Sequence, residues 1–260
     1  MKLYGFSDKN GGEKMLAEER FVRILSVVDS AGTATIAELM EQLNVSESTI
    51  KRDLSQLDKD GLLKRVRGGA TSLKGSLFIH DDSVSNRMEL NVDAKQKVGA
   101  YAASLITDND FVYIDAGTTT ARMLPYLTNR SSIYVTNSLP LAMQLSANGF
   151  RVSILGGEFK NLTEAIVGEE AIESLLKYNF TKGFFGANGV SIEKGFTTPE
   201  LKEAMVKRAA MRQCRTSYVL CDKSKFDNVA SITFGAFESA TVITDHAPKK
   251  YKDKKNVMEV

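Results

Sequence analysis

The sequence predicts an α/β protein of two unequal domains. Three observations predict it. A helical pattern with basic residues on one face fills the region after Met15. Short apolar strands alternating with helices run from Val92 onward. Between them lies a polar, weakly periodic stretch. At roughly 100–200 residues per domain, 260 residues fit one large domain or two of unequal size. The expected boundaries are 15–73 for the first domain, 74–91 for a linker and 92–250 for the second domain.

The elements of the first domain follow in order. Phe21, Ile24, Leu25 and Val28 fall at i, i+3, i+4 and i+7, one face of a helix that Gly32 closes. Thr35-Ile-Ala-Glu38 has the spacing of a capping box, so a second helix opens at Ile36 and carries Leu39 and Leu43 inward. Asn44-Val45 turns the chain, and Ser46 caps a third helix. On that helix Ile50, Leu54 and Leu57 share one side. Ser48, Arg52, Ser55 and Lys59 share the other, with Lys51 at its edge. Gly61 ends the helix. Leu62 to Val66 then reads as a strand, Gly68-Gly69 as a turn, and Ala70 to Leu73 as the returning strand.

Two helices, a tight turn and a third helix with this face read as a helix-turn-helix, and the hairpin as its wing. The candidate contacts to double-stranded DNA are Thr35, Ser46, Ser48, Thr49, Lys51, Arg52 and Ser55 on the helices, and Lys64, Arg65 and Arg67 on the wing. Short hydroxyl side chains allow close approach, and the cations then reach phosphates or guanine edges. The bland alternative is a three-helix bundle with a solvated charged face. It leaves unexplained why one helix and one hairpin are basic while the second helix carries Glu38 and Glu41.

Composition narrows the classes. The chain is 43% hydrophobic, enough for a real core, and its net charge of +2 gives no global basic field, so any basic site is local. Cys214 and Cys221 form no CxxC pair and have no His cluster near them, which reads as a reduced cytoplasmic protein without a metal site or bound cofactor. No apolar run approaches the roughly 18 residues of a membrane span, and the N-terminus lacks the apolar stretch of a secretory signal. Periodic structure begins only at Met15. The preceding Gly-Gly-Glu-Lys could be translated from a ribosome-binding sequence, so Met15 is the expected start in the cell.

In the second domain, Val98, Ala102 and Leu105 line a helix. Phe111–Asp115, Ile133–Thr136, Val152–Leu155, Gly183–Gly186, Tyr218–Leu220 and Val242–Thr244 read as buried strands. Short apolar strands separated by helices argue a mostly parallel sheet covered on both faces. Ligands bind at the strand ends of such sheets. Those ends read Asp115 to Thr120, Thr136 to Ser138, Gly156 to Glu158, Gly186 to Gly189 and Asp222 to Lys225. Gly117, Thr118, Thr119 and Thr120, where a strand hands over to a helix, could hold a phosphate through backbone N–H groups and hydroxyls. Asp115, Asn137 and Asn188 could take sugar hydroxyls, and Lys207 or Lys225 could neutralise the phosphate. Glu203 and Lys207 are four apart and share a helix face. Each signal has a plain alternative: Thr as a helix cap, Gly156-Gly157 as a turn, Asp222 as a cap, Glu203 and Lys207 as a surface pair. Their common position at one end of the strands favours one shared site.

V-S-E-S-T-I-K-R-D-L followed by G-L-L-K-R-V-R-G-G-A resembles the DNA-binding signature of DeoR-type bacterial transcriptional regulators. Lys51 stands where family members commonly have Arg, and Arg67 where they often have His. Lys lacks the bidentate fork of Arg, which bears on base preference. Y-I-D-A-G-T-T-T, V-T-N-S, G-A-N-G, G-F-T-T-P-E and L-C-D-K-S-K-F resemble the sugar-phosphate sensor domain of the same family, a fold similar to ribose-5-phosphate isomerase. The resemblance spans Met15 to about Asp245. It implies a phosphate role for Gly117 to Thr120, and ligand contacts near Asn188, Thr198, Glu203 and Lys207. The candidate ligand residues also include Gly156, Gly157, Gly189, Asp222 and Lys225. Within the family the motifs look closest to repressors of fructose operons in Gram-positive bacteria, which implies fructose 1-phosphate as effector.

The expected function is therefore a transcriptional regulator, a repressor, controlled by a phosphosugar. A palindromic operator would require a homodimer or homotetramer. The alternative is a sugar-phosphate isomerase-like enzyme with a DNA-binding appendage, in which Glu203 abstracts a proton. A third is a constitutive DNA-binding protein with an inert second domain.

Overall fold

The computed structural model describes residues 17–72 and 84–260. The expectations on Met15, Leu73 and the first part of the linker, 74–83, lie outside the described residues. The chain divides into two compact units at about residue 76.

The first unit runs α1 (Ala17–Ala31), β1 (Thr33–Thr35), α2 (Ile36–Leu43), α3 (Glu47–Lys59), β2 (Lys64–Val66) and β3 (Gly69–Thr71). Its core holds the expected Ile24, Val28, Leu39, Leu43, Ile50, Leu54 and Leu57, joined by Ala34, Leu63 and Ala70. Thr35 and Glu38 form the capping box, with Thr35 Oγ1 accepting from the Glu38 amide at 3.2 Å and Glu38 Oε2 from the Thr35 amide at 2.7 Å. Ser46 caps α3 and accepts from the Thr49 amide at 3.4 Å. The hairpin turns on Arg67-Gly68 rather than on Gly68-Gly69, because Gly69 already pairs with Val66. Gly69 is glycine for a different reason: a Cβ there would lie 2.1 Å from the Ala34 carbonyl oxygen. That contact comes from β1, a strand not expected from the sequence. It makes the wing a three-stranded sheet of order β1-β3-β2.

The second unit begins with α4 (Val84–Glu89) and α5 (Val92–Ser104). Residues 84–91 were expected as linker. They are fixed to this unit instead, with Arg122 Nη2 donating to the Met88 carbonyl at 3.0 Å and Lys95 Nζ to that of Arg87. Their polar sequence hides the helix because these bonds, rather than an apolar stripe, hold it.

Seven parallel strands follow: β4 (Phe111–Ile114), β5 (Ile133–Thr136), β6 (Arg151–Ile154), β9 (Phe180–Gly186), β12 (Cys214–Cys221), β14 (Thr241–Thr244) and β15 (Val257–Glu259). Their order is β15-β14-β12-β9-β4-β5-β6. Residues alternate between two cores. Val112, Ile114, Tyr134, Phe184 and Leu220 face α5 and α6 (Leu139–Ala147), whereas Tyr113, Val135, Phe185 and Val219 face α7 (Glu169–Leu175) and α8 (Leu201–Arg212). Burial on both faces explains the continuous apolar runs.

Two small antiparallel sheets complete the unit, the hairpin β7 (Glu158–Lys160)–β8 (Ala165–Val167) and the set β10 (Gly189–Ser191)–β11 (Gly195–Thr198)–β13 (Ile232–Gly235). A short helix, α9 (Lys249–Lys252), leads to β15. The expected end at 250 is thus ten residues short, because β15 is an edge strand of the main sheet.

The strand order decides where a ligand can sit. From β4 the chain moves outward through β5 and β6. It then returns to the other side of β4 with β9, followed by β12, β14 and β15. The direction of winding therefore reverses between β4 and β9, and a crevice opens beyond the carboxyl ends of strands at such a switch point.

Candidate functional site

On the first unit, Ser48, Lys51, Arg52, Ser55 and Lys59 are exposed together on α3, opposite its buried side. Arg52 and Arg67 have no hydrogen-bond or ion-pair partner among the described residues. Lys51 pairs with Glu47 at 2.7 Å, an exposed i,i+4 bridge. Such a pair is worth little and gives way to phosphate readily. Arg65 Nη1 donates to Ser55 Oγ at 2.5 Å, and the Arg65 amide donates to Asp58 Oδ1 at 2.9 Å, so the wing is tied to α3. The Thr35 and Ser46 hydroxyls are engaged in capping. Thr49 Oγ1 lies 2.9 Å from Ser46 Oγ.

On the second unit, one polar cleft, partly open to solvent, lies at the β4/β9 switch point. Its lining includes Gly117, Thr118 and Thr119 after β4, Asn188 after β9, Asp222 and Lys225 after β12, and Glu203 and Lys207 from α8. These eight expected residues meet there. The shared face of Glu203 and Lys207 points inward, not to the surface. The Thr118 and Thr119 hydroxyls have no partner among the described residues. Asp222 Oδ1 accepts from Asn91 Nδ2 at 3.1 Å and from the Ser224 amide at 2.9 Å, so the capping role is real. Its Oδ2 is buried with no partner among the described residues.

The other expected ligand residues stand behind the cleft or away from it. Asp115 is buried and bonded to Lys207 Nζ, and its Oδ2 accepts from the Gly186 amide at 3.1 Å. Burial raises its carboxyl above the usual carboxylate range, against the pull of Lys207. Asp115 therefore positions Lys207 and the β9 end. Thr120 is fully buried, its hydroxyl donating to the Asp115 carbonyl at 2.7 Å. The helix it opens, 120–126, is 3₁₀ in form, so the strand does not hand over to an α-helix N-terminus here. Thr198 is buried and donates to Asn188 Oδ1 at 3.2 Å, orienting that amide.

Asn137 is also buried. Its Oδ1 accepts from the Ala116 amide at 2.8 Å, and its Nδ2 donates to the Ile166 carbonyl at 3.2 Å. It follows β5, on the far side of β4, where β8 covers it. Gly156 and Gly157 follow β6, one strand further out. A Cβ at Gly157 would lie 2.7 Å from the Val167 carbonyl oxygen, and one at Gly189 would lie 2.2 Å from that of Asn228. Both glycines serve close backbone packing.

Arg87, Asn91, Lys95 and Ser224 line the cleft and were not foreseen. Arg87 lies on α4, Asn91 in the left-handed turn that follows it and Lys95 on the first turn of α5, so the turn between the two helices, rather than one helical face, brings them together. Lys95 is buried. Burial lowers its pKa to about 8, with Lys225, Arg122 and Arg87 adding to the fall and Asp222 opposing it. Glu203 Oε1 accepts from Lys160 Nζ at 2.9 Å and from Thr163 Oγ1 at 2.7 Å. Burial opposes its ionisation, but Lys207 and these two bonds together hold the carboxyl below the usual range. A base weakened this way is poorly matched to proton abstraction near neutral pH.

The arrangement combines a basic strand-end cleft with a separate winged helix-turn-helix. A model of the DeoR-like helix-turn-helix domain matches residues 20–75, and one of the DeoR C terminal sensor domain matches residues 90–246. The chain belongs to the DeoR family. Among its relatives, an uncharacterized HTH-type transcriptional regulator FruR of Bacillus subtilis is 38% identical over 90% of this chain and 92% of its own length. A lactose phosphotransferase system repressor of Staphylococcus epidermidis is 32% identical over 91% and 95%. This DeoR-family chain is accordingly a DNA-binding transcriptional regulator. Those relatives are regulators, which sets aside the enzyme alternative. A ribose 5-phosphate isomerase from Methanocaldococcus jannaschii overlaps 52% of this chain and 55% of its own, at 19% identity and a TM-score of 0.40, too loose to bear on function. No helix among the described residues is long and apolar enough to cross a membrane.

Proposed function

We propose that this regulator is a cytoplasmic, homodimeric or homotetrameric repressor whose operator affinity falls when a phosphosugar fills the cleft. The observation that carries it is the convergence of Arg87, Lys95, Lys207 and Lys225 on Gly117–Thr119 at the switch point. Cations and unengaged Thr hydroxyls there suit a phosphate. The unpartnered Asp222 Oδ2 and the Asn188 amide suit sugar hydroxyls. Ser48, Lys51, Arg52 and Ser55 enter the major groove, while Lys64, Arg65 and Arg67 lie on the backbone. Similarity to the regulator named FruR supports fructose 1-phosphate as the sugar. The effector must prefer one of two states of the protein, with a coupling of ~1–3 kcal/mol.

Calorimetric titration with fructose 1-phosphate, fructose and inorganic phosphate tests the cleft. Binding that needs both sugar and phosphate is expected. Equal binding of unphosphorylated fructose would remove the phosphate assignment.

A further inference from the structure

The first unit contains an ion pair that neither its core nor its DNA face accounts for. Arg20 on α1 donates through Nη2 to Asp53 Oδ1 at 3.1 Å and through Nε to Asp53 Oδ2. The side chains are only 9% and 3% exposed. Asp53 follows Arg52 directly, so the pair grips the recognition helix one residue from its exposed arginine.

We propose that Arg20 and Asp53 are positioning residues for DNA readout, fixing the roll of α3 so that Arg52 and Ser48 meet the groove in one register. Stability alone does not explain the pair. Replacing a buried ion pair with apolar residues of similar volume is often neutral or stabilising. The apolar contacts of α3, through Ile50, Leu54 and Leu57, fix which side is buried. Such contacts are non-directional and leave small rolls open. A two-point charged hydrogen bond in a dry interior is directional and closes that freedom. Side-chain tips lie roughly 6 Å from a helix axis, so a roll of about 20° moves them about 2 Å. That shift exceeds the tolerance of a bidentate contact to a base edge.

The test uses the full chain and a duplex that the wild-type protein selects from a random pool. Affinity for it is compared with affinity for an unrelated duplex at one salt concentration, alongside thermal melting. The double variant Arg20→Met/Asp53→Leu should melt within a few degrees of wild type and bind unrelated DNA as wild type does. Its preference for the selected duplex should fall about tenfold or more, the scale of one misplaced base contact. An unchanged preference in the folded double variant would overturn the proposal and leave the pair a structural clamp. Should that variant fail to fold, Asp53→Asn keeps the shape and one accepting oxygen and is read the same way. A reduced preference supports the proposal, and an unchanged one overturns it.

Discussion

Replacing Lys95 with methionine should weaken phosphosugar binding about 10- to 100-fold at pH 7. A charge-assisted hydrogen bond contributes ~1.5–3 kcal/mol net, and every ~1.4 kcal/mol is tenfold. The bare Coulomb attraction at about 4 Å near a protein surface is ~4 kcal/mol, an upper figure that desolvation of the buried ammonium reduces. The pH profile gives the sharper assay. With the Lys95 pKa at about 8, the charged fraction falls from about 0.9 at pH 7 to about 0.1 at pH 9. A phosphate monoester has its second pKa near ~6 and is already dianionic throughout that range. Wild-type affinity should therefore drop about tenfold between pH 7 and 9, with proton uptake on binding near pH 8.5. In Lys95→Met the profile should be flat. Methionine removes the bond from Lys95 Nζ to the Arg87 carbonyl, so melting is measured beside binding. A folded Lys95→Met protein with wild-type affinity, or with the same tenfold drop, would refute the placement of phosphate beside Lys95.

Other substitutions separate reading from holding. Arg52→Ala should weaken operator binding by ~1–3 kcal/mol if it reads a base, whereas a phosphate role would lower affinity for all duplexes and reduce the salt slope by about one, as salt titrations on two DNAs distinguish. Gly69→Ala should destabilise the first unit by ~1–3 kcal/mol in chemical unfolding, because the new methyl meets the Ala34 carbonyl of β1. Asn137→Ala should lower the melting temperature of the second unit by removing two buried hydrogen bonds, each worth ~1 kcal/mol or more when its partner is left unsatisfied, yet leave effector affinity nearly unchanged. A large loss of effector affinity in folded Asn137→Ala would place that amide in the cleft after all.

Much of this was legible in the sequence. Period and capping chemistry disclosed α1 to α3, since Thr35–Glu38 and Ser46 are local signals. Continuous apolar runs disclosed six of the seven parallel strands, because burial on both faces removes the alternation that half-buried strands show, whereas the short edge strand β15 carries no such run and was missed. The short antiparallel strands β7, β8, β10, β11 and β13 escaped, having three or four residues and no periodic stripe. The site was half legible for one reason: polar strand ends mark where ligands can bind, but strand order, which is non-local, decides which ends meet. Gly117–Thr119, Asn188 and Asp222 follow the adjacent strands β4, β9 and β12, so they converge. Asn137 and Gly156 follow β5 and β6, which lie on the other side of the switch point. Arg87 was hidden by α4, a helix held by hydrogen bonds to main-chain carbonyls rather than by an apolar face, and Lys95, on the first turn of α5, was hidden because a lysine in a helix reads as exposed until the fold buries it. The Arg20–Asp53 pair joins residues 33 apart, and nothing local announces it.

The most direct test of the account is a gel shift on the DNA upstream of the protein's own operon, at fixed salt, with and without fructose 1-phosphate and a panel of other phosphosugars. A specific complex is expected that one phosphosugar dissolves in the wild type at concentrations that leave the Lys95→Met complex intact. A specific complex that no phosphosugar alters would contradict it and leave a DNA-binding protein whose cleft serves something else.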